Sequence, residues 1–376
     1  MINNKILITG GAGFIGSNLS LKLIDKGYEI TVLDNLSEQI HGNSSSLFKS
    51  IEGKVNFIKG DVRNAEDWEK ALQNQDIVVH LAAETGTGQS MYEVQKYVEV
   101  NINGTAIFLD YLVNKPHSIK KVIIASSRAI YGEGKYECSS HGITYPDVRK
   151  ESGLINGNFE PKCPICNENL SVLPTDENAK IHPSSVYGIT KQNQEQMILN
   201  ICRSINIPAV AFRYQNVYGP GQSLQNPYTG ILSIFSTQIK NGNTINVFED
   251  GLETRDFVYI DDVLNATILG IEKEEADFEV FNVGNGKGTT VLKVAETLKK
   301  YYQSDIDIKV TGNFRLGDIR HNVADLTKIK DQLGFEPEFD FEQGIAQFAE
   351  WVNEQEIQED HYSKSIQELK DKGLFK

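Results

Sequence analysis

The stretch Lys5-Ile6-Leu7-Ile8-Thr9-Gly10-Gly11-Ala12-Gly13-Phe14-Ile15-Gly16 constrains the fold more than any other. An apolar run stops abruptly at glycines. A helical pattern follows, with Leu19, Leu21, Leu23 and Ile24 on its apolar face. The order is strand, glycine-rich turn, helix. Glycines at 10, 13 and 16 let backbone N–H groups approach a pyrophosphate at a helix N-terminus, where the dipole favours anions. The spacing is Gly-x-x-Gly-x-x-Gly, which also suits a tight turn that packs helix on strand.

The following strands favour the phosphate reading. Glu29-Ile30-Thr31-Val32-Leu33 ends at Asp34-Asn35, where an acid is placed to accept hydrogen bonds from an adenosine ribose. That selects NAD over its 2′-phosphorylated relative. Val55-Asn56-Phe57-Ile58 leads to Gly60-Asp61-Val62, with Asp61 able to meet an adenine amino group. Asp76-Ile77-Val78-Val79-His80-Leu81 ends at Ala82-Ala83, small enough for a cofactor to lie against the backbone. His80 reads as a satisfied core histidine. A fifth strand, Lys121–Ala125, ends in Ser126-Ser127-Arg128, and a sixth spans Ala209–Phe212. This alternation of strands and helices predicts an α/β fold, a Rossmann-type doubly wound parallel sheet. The segment Glu84-Thr85-Gly86-Thr87-Gly88-Gln89-Ser90 follows a strand's carboxyl end, and its hydroxylated side chains suit a sugar or a solvated loop. The spacing after it predicts one long helix over 94–113, facing either the core or a partner copy.

A formal charge of −14, with no basic run, excludes broad binding to nucleic acid or membrane surfaces. No apolar run reaches bilayer length and no signal pattern opens the chain, so the expectation is a cytoplasmic protein.

Residues 133–180 break the βα rhythm. Cys138-x-x-His141 and Cys163-x-x-Cys166 lie in this polar, proline-containing insertion. Two pairs at that spacing match a tetrahedral structural zinc site, the alternative being a chance grouping without metal. A catalytic metal is disfavoured, since four protein ligands leave no open position. The expected layout is a cofactor domain over 1–212, a smaller α/β substrate-binding lobe over 213–350 with crossings back to the main sheet, and a charged helical tail over 351–376, read as solvated.

Tyr187 and Lys191 stand at i and i+4 and share a helix face. Together with Ser127 at a strand end they supply a general acid/base, its electrostatic partner and a hydroxyl to hold a substrate oxygen. Arg255 and Arg315 are candidates for clamping a second pyrophosphate, or for surface salt bridges.

At this point the chain resembles the extended short-chain dehydrogenase/reductases, in their nucleotide-sugar epimerase group. The matching pieces are the glycine turn, Asp61-Val62, His80-Leu81-Ala82-Ala83, Ser126-Ser127, Tyr187-x-x-x-Lys191, Arg213-Tyr214-x-Asn216-Val217-Tyr218-Gly219-Pro220 and Arg255-Asp256. The resemblance implies Tyr187 as base, Lys191 as its partner and Ser127 as the assisting hydroxyl. It implies NAD bound by Gly10, Gly13, Phe14, Ile15, Gly16, Asp34, Asn35, Asp61, Val62, Leu81, Ala82, Ala83 and Asn101 together with Tyr187 and Lys191. The substrate implied is a nucleotide-diphosphate sugar, met by Glu84, Thr85, Ser90, Arg128, Asn216, Arg255 and Arg315, in a homodimer built through long helices.

Arg128 and Ala129 stand where related dehydratases carry an Asp-Glu pair, and Ala129 where epimerase-reductases carry a cysteine. What remains is C4 epimerisation or reduction. The segments 84–92 and 127–134 and the cysteine-bearing insertion are similar to those of dTDP-L-rhamnose 4-epimerases, whose product is dTDP-6-deoxy-L-talose. The alternatives are a UDP-hexose 4-epimerase, a 4-ketoreductase, and, from another class, a nucleotide-sensing protein without catalysis.

Overall fold

A computed structural model describes residues 5–42, 46–228 and 230–376. Seven strands form the main sheet: β1 (Lys5–Thr9), β2 (Glu29–Asp34), β3 (Asn56–Lys59), β4 (Ile77–His80), β5 (Lys121–Ser127), β6 (Ala209–Tyr214) and β7 (Val280–Val283). Their order is β7-β6-β5-β4-β1-β2-β3, and every pairing is parallel. Strands covered on both faces read as near-continuous apolar runs. Alternation then sends neighbours to opposite cores. Ile6, Ile8, Val32, Ile77, Val79, Ile123 and Val210 enter one core. Leu7, Leu33, Val78, Val122, Ile124 and Ala209 enter the other. This is the doubly wound sheet expected from the sequence.

The first core continues into the second half of the chain, through Phe257, Tyr259, Val263 and Phe348. The lobe and the sheet therefore share one packed interior. The lobe carries strands Asn216–Tyr218, Thr254–Tyr259, Gly288–Thr290 and His321–Asn322, and β7 is its crossing back to the main sheet. The expected boundary at 212/213 falls inside β6, because Arg213 and Tyr214 still pair with Ser126 and Ser127.

Two departures from expectation bear on the site. The helix over 94–114 has α-helical ends, but a π-helical turn occupies Val98–Asn103. Such turns reposition a side chain within a helix. Here the buried Asn101 carboxamide accepts from Glu84 N (2.8 Å) and donates to Glu84 O (3.0 Å) and Thr190 Oγ1 (3.0 Å). The tail is helical at Tyr362–Asp371, yet its apolar residues are not solvated: Leu369 and Phe375 are buried. Leu374 and Lys376 pair through their backbones with Phe314 and Leu316. Sparse apolar residues at helical spacing still bury when another surface meets them, here one running from Gly88 to Phe248.

One buried ion pair ties these parts together. On β6, Arg213 donates to both carboxylate oxygens of Glu195 (2.6 and 3.0 Å), to Tyr131 Oη (2.7 Å) and to Glu177 O (2.9 Å). Ser126 Oγ also donates to Glu195 (2.5 Å), and Tyr131 donates to Asn282 Oδ1 on β7 (2.8 Å). Removing one partner of such a pair strands the other charge in a dry interior. Arg213→Ala is expected to lower unfolding stability by about 3–5 kcal/mol, and Arg213→Lys to recover only part of it, because an ammonium cannot make the paired contact. Urea denaturation of the three proteins checks this.

Candidate active site

Strand order reverses at the neighbouring strands β1 and β4, and open parallel sheets bind ligands at the carboxyl ends there. Gly10 has φ +66°, and a Cβ on it would lie 2.9 Å from the Ala82 backbone. A Cβ on Gly16 would lie 2.5 Å from Gly10 O. The helix Phe14–Asp25 (α1) starts beyond Gly13 with no side-chain cap, so its first N–H groups are left for a ligand. A cleft of about 330 Å³ opens here, lined by Gly10, Gly13, Phe14, Ile15, Gly16, Asp34, Asn35, Asp61, Val62, Leu81, Ala82, Ala83, Glu84 and Thr85.

Asp34 accepts from Ala12 N (3.0 Å) and Leu36 N (2.8 Å), and His41 Nε2 lies 3.5 Å away. An ionised carboxylate has about four acceptor positions, so room for a ribose hydroxyl remains. Asp61 is gripped by Arg63 (2.7 and 2.9 Å) and receives Asn35 Nδ2 (3.2 Å); the guanidinium holds its carboxyl down at about 2. Glycine cradle, uncapped helix and terminal acid fit a dinucleotide. Of the residues expected around it, only Asn101 stands back from the cleft, fixing the Glu84 backbone from behind.

The reactive side chains lie on the opposite wall. Ser127 ends β5. The helix Val186–Ser204 carries Tyr187 and Lys191, and its N-cap Ser185 accepts from Gly188 N. All three line the same cleft. The Ser127 hydroxyl and the Arg128 guanidinium both stand close enough to the Tyr187 phenol to act on it. Burial raises the phenol above its ordinary 10, while the Ser127 hydroxyl and then the Arg128 charge pull it back. Lys191 donates to Gln194 Oε1 (2.8 Å), and Gln194 donates in turn to Thr105 (2.8 Å). Burial brings the Lys191 ammonium down to about 7, against the pull of Glu195. His80 is fully buried between Thr9 (2.7 Å) and Thr105 (3.1 Å), and burial first, then Lys191, press it down to about 3. It is the core histidine expected from the sequence.

Residues 6–150 and 165–284 match the NAD dependent epimerase/dehydratase family. The chain belongs to this family. It is 36% identical to a dTDP-L-rhamnose 4-epimerase from Burkholderia thailandensis, over 93% of this chain and 94% of that one. Among solved structures it is similar to UDP-glucose 4-epimerase from Thermotoga maritima with UDP-glucose (32% identity, TM-score 0.74, 93% of this chain and 98% of that one). It is also similar to UDP-glucuronic acid 4-epimerase from Bacillus cereus in complex with UDP-glucuronic acid and NAD (26% identity, TM-score 0.75, 93% and 99%). The chain is an enzyme, an isomerase of the extended short-chain dehydrogenase/reductase type.

The rest of this epimerase's cleft is less as the sequence suggested. Glu84 and Thr85 line it, with Lys96 3.2 Å from Glu84. Ser90 does not line it. Its hydroxyl is committed to Thr87 O (2.6 Å) and to Tyr187 N (3.0 Å), so it seats the catalytic helix. Asn216 also stands outside the lining. The far wall instead holds Tyr214, Gln215, Val217, Gln222, Ser223 and Asn226, which the sequence reading left out of the site. Both amide atoms of Gln215 are buried without a hydrogen-bond partner among the described residues, so a ligand's polar groups would find a donor and an acceptor there.

Arg128, Arg255 and Arg315 gather beside the cleft around Asp318, which Arg315 grips at 2.8 Å. One Arg128 nitrogen is buried without a partner among the described residues. Tyr362 of the tail joins them. Glu368 accepts from Tyr92 and from Tyr228 (2.9 Å each), so the tail bridges a cofactor-side loop and the lobe.

The lowered Lys191 value has a consequence for stability. The unfolded chain keeps this proton up to about 10.5, whereas the folded, cofactor-free chain releases it near 7. The unfolded state then binds more protons between those values, so Lys191 favours folding increasingly as pH rises through that window. Thermal unfolding of cofactor-stripped protein against a Lys191→Met variant should show the wild type gaining on the variant from pH 7 upward.

Proposed function

We propose that this chain is a nucleotide-sugar 4-epimerase that interconverts dTDP-L-rhamnose and dTDP-6-deoxy-L-talose with bound NAD+. The observation that carries this is the gathering of Ser127, Tyr187 and Lys191 on one wall of a dinucleotide cleft. Gly10–Gly16 and Asp34 would hold NAD+, which would supply a hydride acceptor for C4 and, once reduced, the donor for its return. Tyr187 takes the C4 hydroxyl proton and later restores it, and Ser127 donates to the C4 oxygen as carbonyl character grows. A phenol of pKa about 10 needs roughly 4 kcal/mol of differential stabilisation to act near pH 7. Burial pushes the phenol the other way, so this stabilisation would come from protonated Lys191 and the nicotinamide cation of bound NAD+, added to the pull of Arg128. The arginines around Asp318 lie on the side where a sugar diphosphate would extend.

Arg128 and Ala129 place no acid or base pair beside Ser127, which favours inversion over elimination of water. The dTDP-sugar reading rests on the Burkholderia relative. A UDP-hexose is the second reading, favoured by the Thermotoga relative and by a putative UDP-glucose 4-epimerase from Methanocaldococcus jannaschii at 30% identity.

A panel of dTDP- and UDP-sugars, incubated with catalytic NAD+ and no reductant, is read by NMR for C4 inversion. Inversion of dTDP-L-rhamnose supports the proposal; inversion of UDP-glucose alone moves the substrate; turnover only with stoichiometric reduced cofactor makes the enzyme a ketoreductase. Tyr187→Phe should lower kcat by about 10³-fold with nucleotide-sugar binding retained. The reading includes a homodimer, for which exposed Val94, Val98 and Val113 on helix 94–114 and Ile189 on helix 186–204 offer apolar surface. Light scattering at micromolar concentration should give twice the chain mass.

A further inference from the structure

Away from the cleft, the insertion between the Ser127 turn and the Tyr187 helix has little core of its own. Its buried apolar residues are split between a group at Ile130 and Tyr131 and one at Leu154 and Phe159. Its sheet is three short antiparallel strands, Tyr136–Cys138, Gly142–Thr144 and Ser171–Val172. Two tight turns in it face each other. In the first, Cys138 and His141 close the hairpin: His141 N donates to Cys138 O (3.3 Å), and Gly142 takes φ +71°. In the second, Asn167 N donates to Cys163 O (2.9 Å), Cys163 N donates to Glu168 O (2.9 Å), and Asn167 takes φ +63°.

The four ligand atoms these turns present lie within 4.8 Å of one another. Cys138 Sγ is 3.5 Å from His141 Nδ1 and 3.6 Å from Cys166 Sγ, and Cys163 Sγ is 3.7 Å from His141 Nδ1. A tetrahedral zinc with bonds of about 2.3 Å to sulfur and about 2.0 Å to nitrogen requires S···S edges of about 3.8 Å and S···N edges of about 3.5 Å. The spacing therefore suits a metal at the centre, and is too long for S–S bonds of about 2.05 Å. The nearby Glu168 carboxylate is turned away, accepting from Ser140 Oγ (3.2 Å).

We propose that Cys138, His141, Cys163 and Cys166 bind one zinc ion that clips the insertion. Three thiolates and an imidazole are soft to borderline donors that disfavour magnesium and calcium. Four protein ligands close the coordination sphere, so the role is structural. The clip steadies a segment whose charges reach across to the lobe: Arg149 lies 2.8 Å from Glu249, and Glu160 lies 2.6 Å from the fully buried Arg320.

The full chain, purified from zinc-replete growth, is analysed for metal, and separately reconstituted with cobalt. About one zinc per chain is expected, together with the visible absorption of a tetrahedral cobalt thiolate. Cys163→Ser should lose the metal and lower the melting temperature. Should that variant fail to fold, the cobalt spectrum of the wild type decides alone. A folded wild type that holds no zinc and gives no such spectrum overturns the proposal. So does a native mass showing a Cys138–Cys166 disulfide, or stoichiometric zinc that Cys163→Ser retains unchanged. None of these readouts depends on the sugar the enzyme acts on.

Discussion

At the carboxyl ends of β1 and β4 two backbones approach until no side chain fits between Gly10 and Ala82. Everything chemical in the molecule follows from that contact. It puts the uncapped start of α1 at the floor of the cleft and leaves Ala82 and Ala83 as a smooth wall. A larger residue at 10 would need φ +66° as well as the space, so two separate physical costs protect the same position. Across the gap, β5 and the 186–204 helix are fixed by the Arg213–Glu195 pair beneath Ser126. The distance between cradle and cleft-lining hydroxyls is thus set in large part by the strands and a buried charge.

That arrangement has an electrostatic consequence. Burial disfavours both the phenolate of Tyr187 and the ammonium of Lys191, so neither group of the protein alone rests in the form that C4 chemistry needs. Gln194 adds a neutral oxygen on Lys191, and His80, held neutral behind it, adds no competing charge. A cation bound near the pair would then shift Tyr187 much further than it could in water, because the same dry surroundings that raise the phenol amplify every charge near it.

The sheet was legible in the sequence because both-face burial writes apolar runs, and glycines punctuate them. Ser127, Tyr187 and Lys191, picked out by strand-end and i, i+4 positions and proposed as catalytic, do line one cleft. The far wall was not. Gln222, Ser223 and Asn226 come from irregular chain after Gly219-Pro220-Gly221, where no period marks which way a side chain points. Ser90 looked like a sugar ligand because hydroxyl composition cannot reveal that a backbone N–H already occupies the oxygen. The π-turn at Val98–Asn103 is invisible to a 3.6-residue period, and the burial of Leu369 and Phe375 depends on a surface assembled from distant segments.

The insertion raises a different question, since it is threaded between the two residues that must touch. Ser127 and Tyr187 keep their register because the excursion leaves and returns through a narrow neck. His182 N donates to Ile130 O (3.0 Å), and Gly132, at φ +59°, lies against His182 O where a Cβ would collide. Ser185 then caps the catalytic helix. The neck carries the geometry of the proposed reaction, while the outer part is tied to the lobe by Arg149 on Glu249 (2.8 Å) and by Arg320, whose N–H donates to Glu133 (2.7 Å). Chain added beyond such a neck can acquire its own clip and its own partners without moving the hydroxyl or the phenol, which is why so polar a segment is tolerated at the centre of the chemistry.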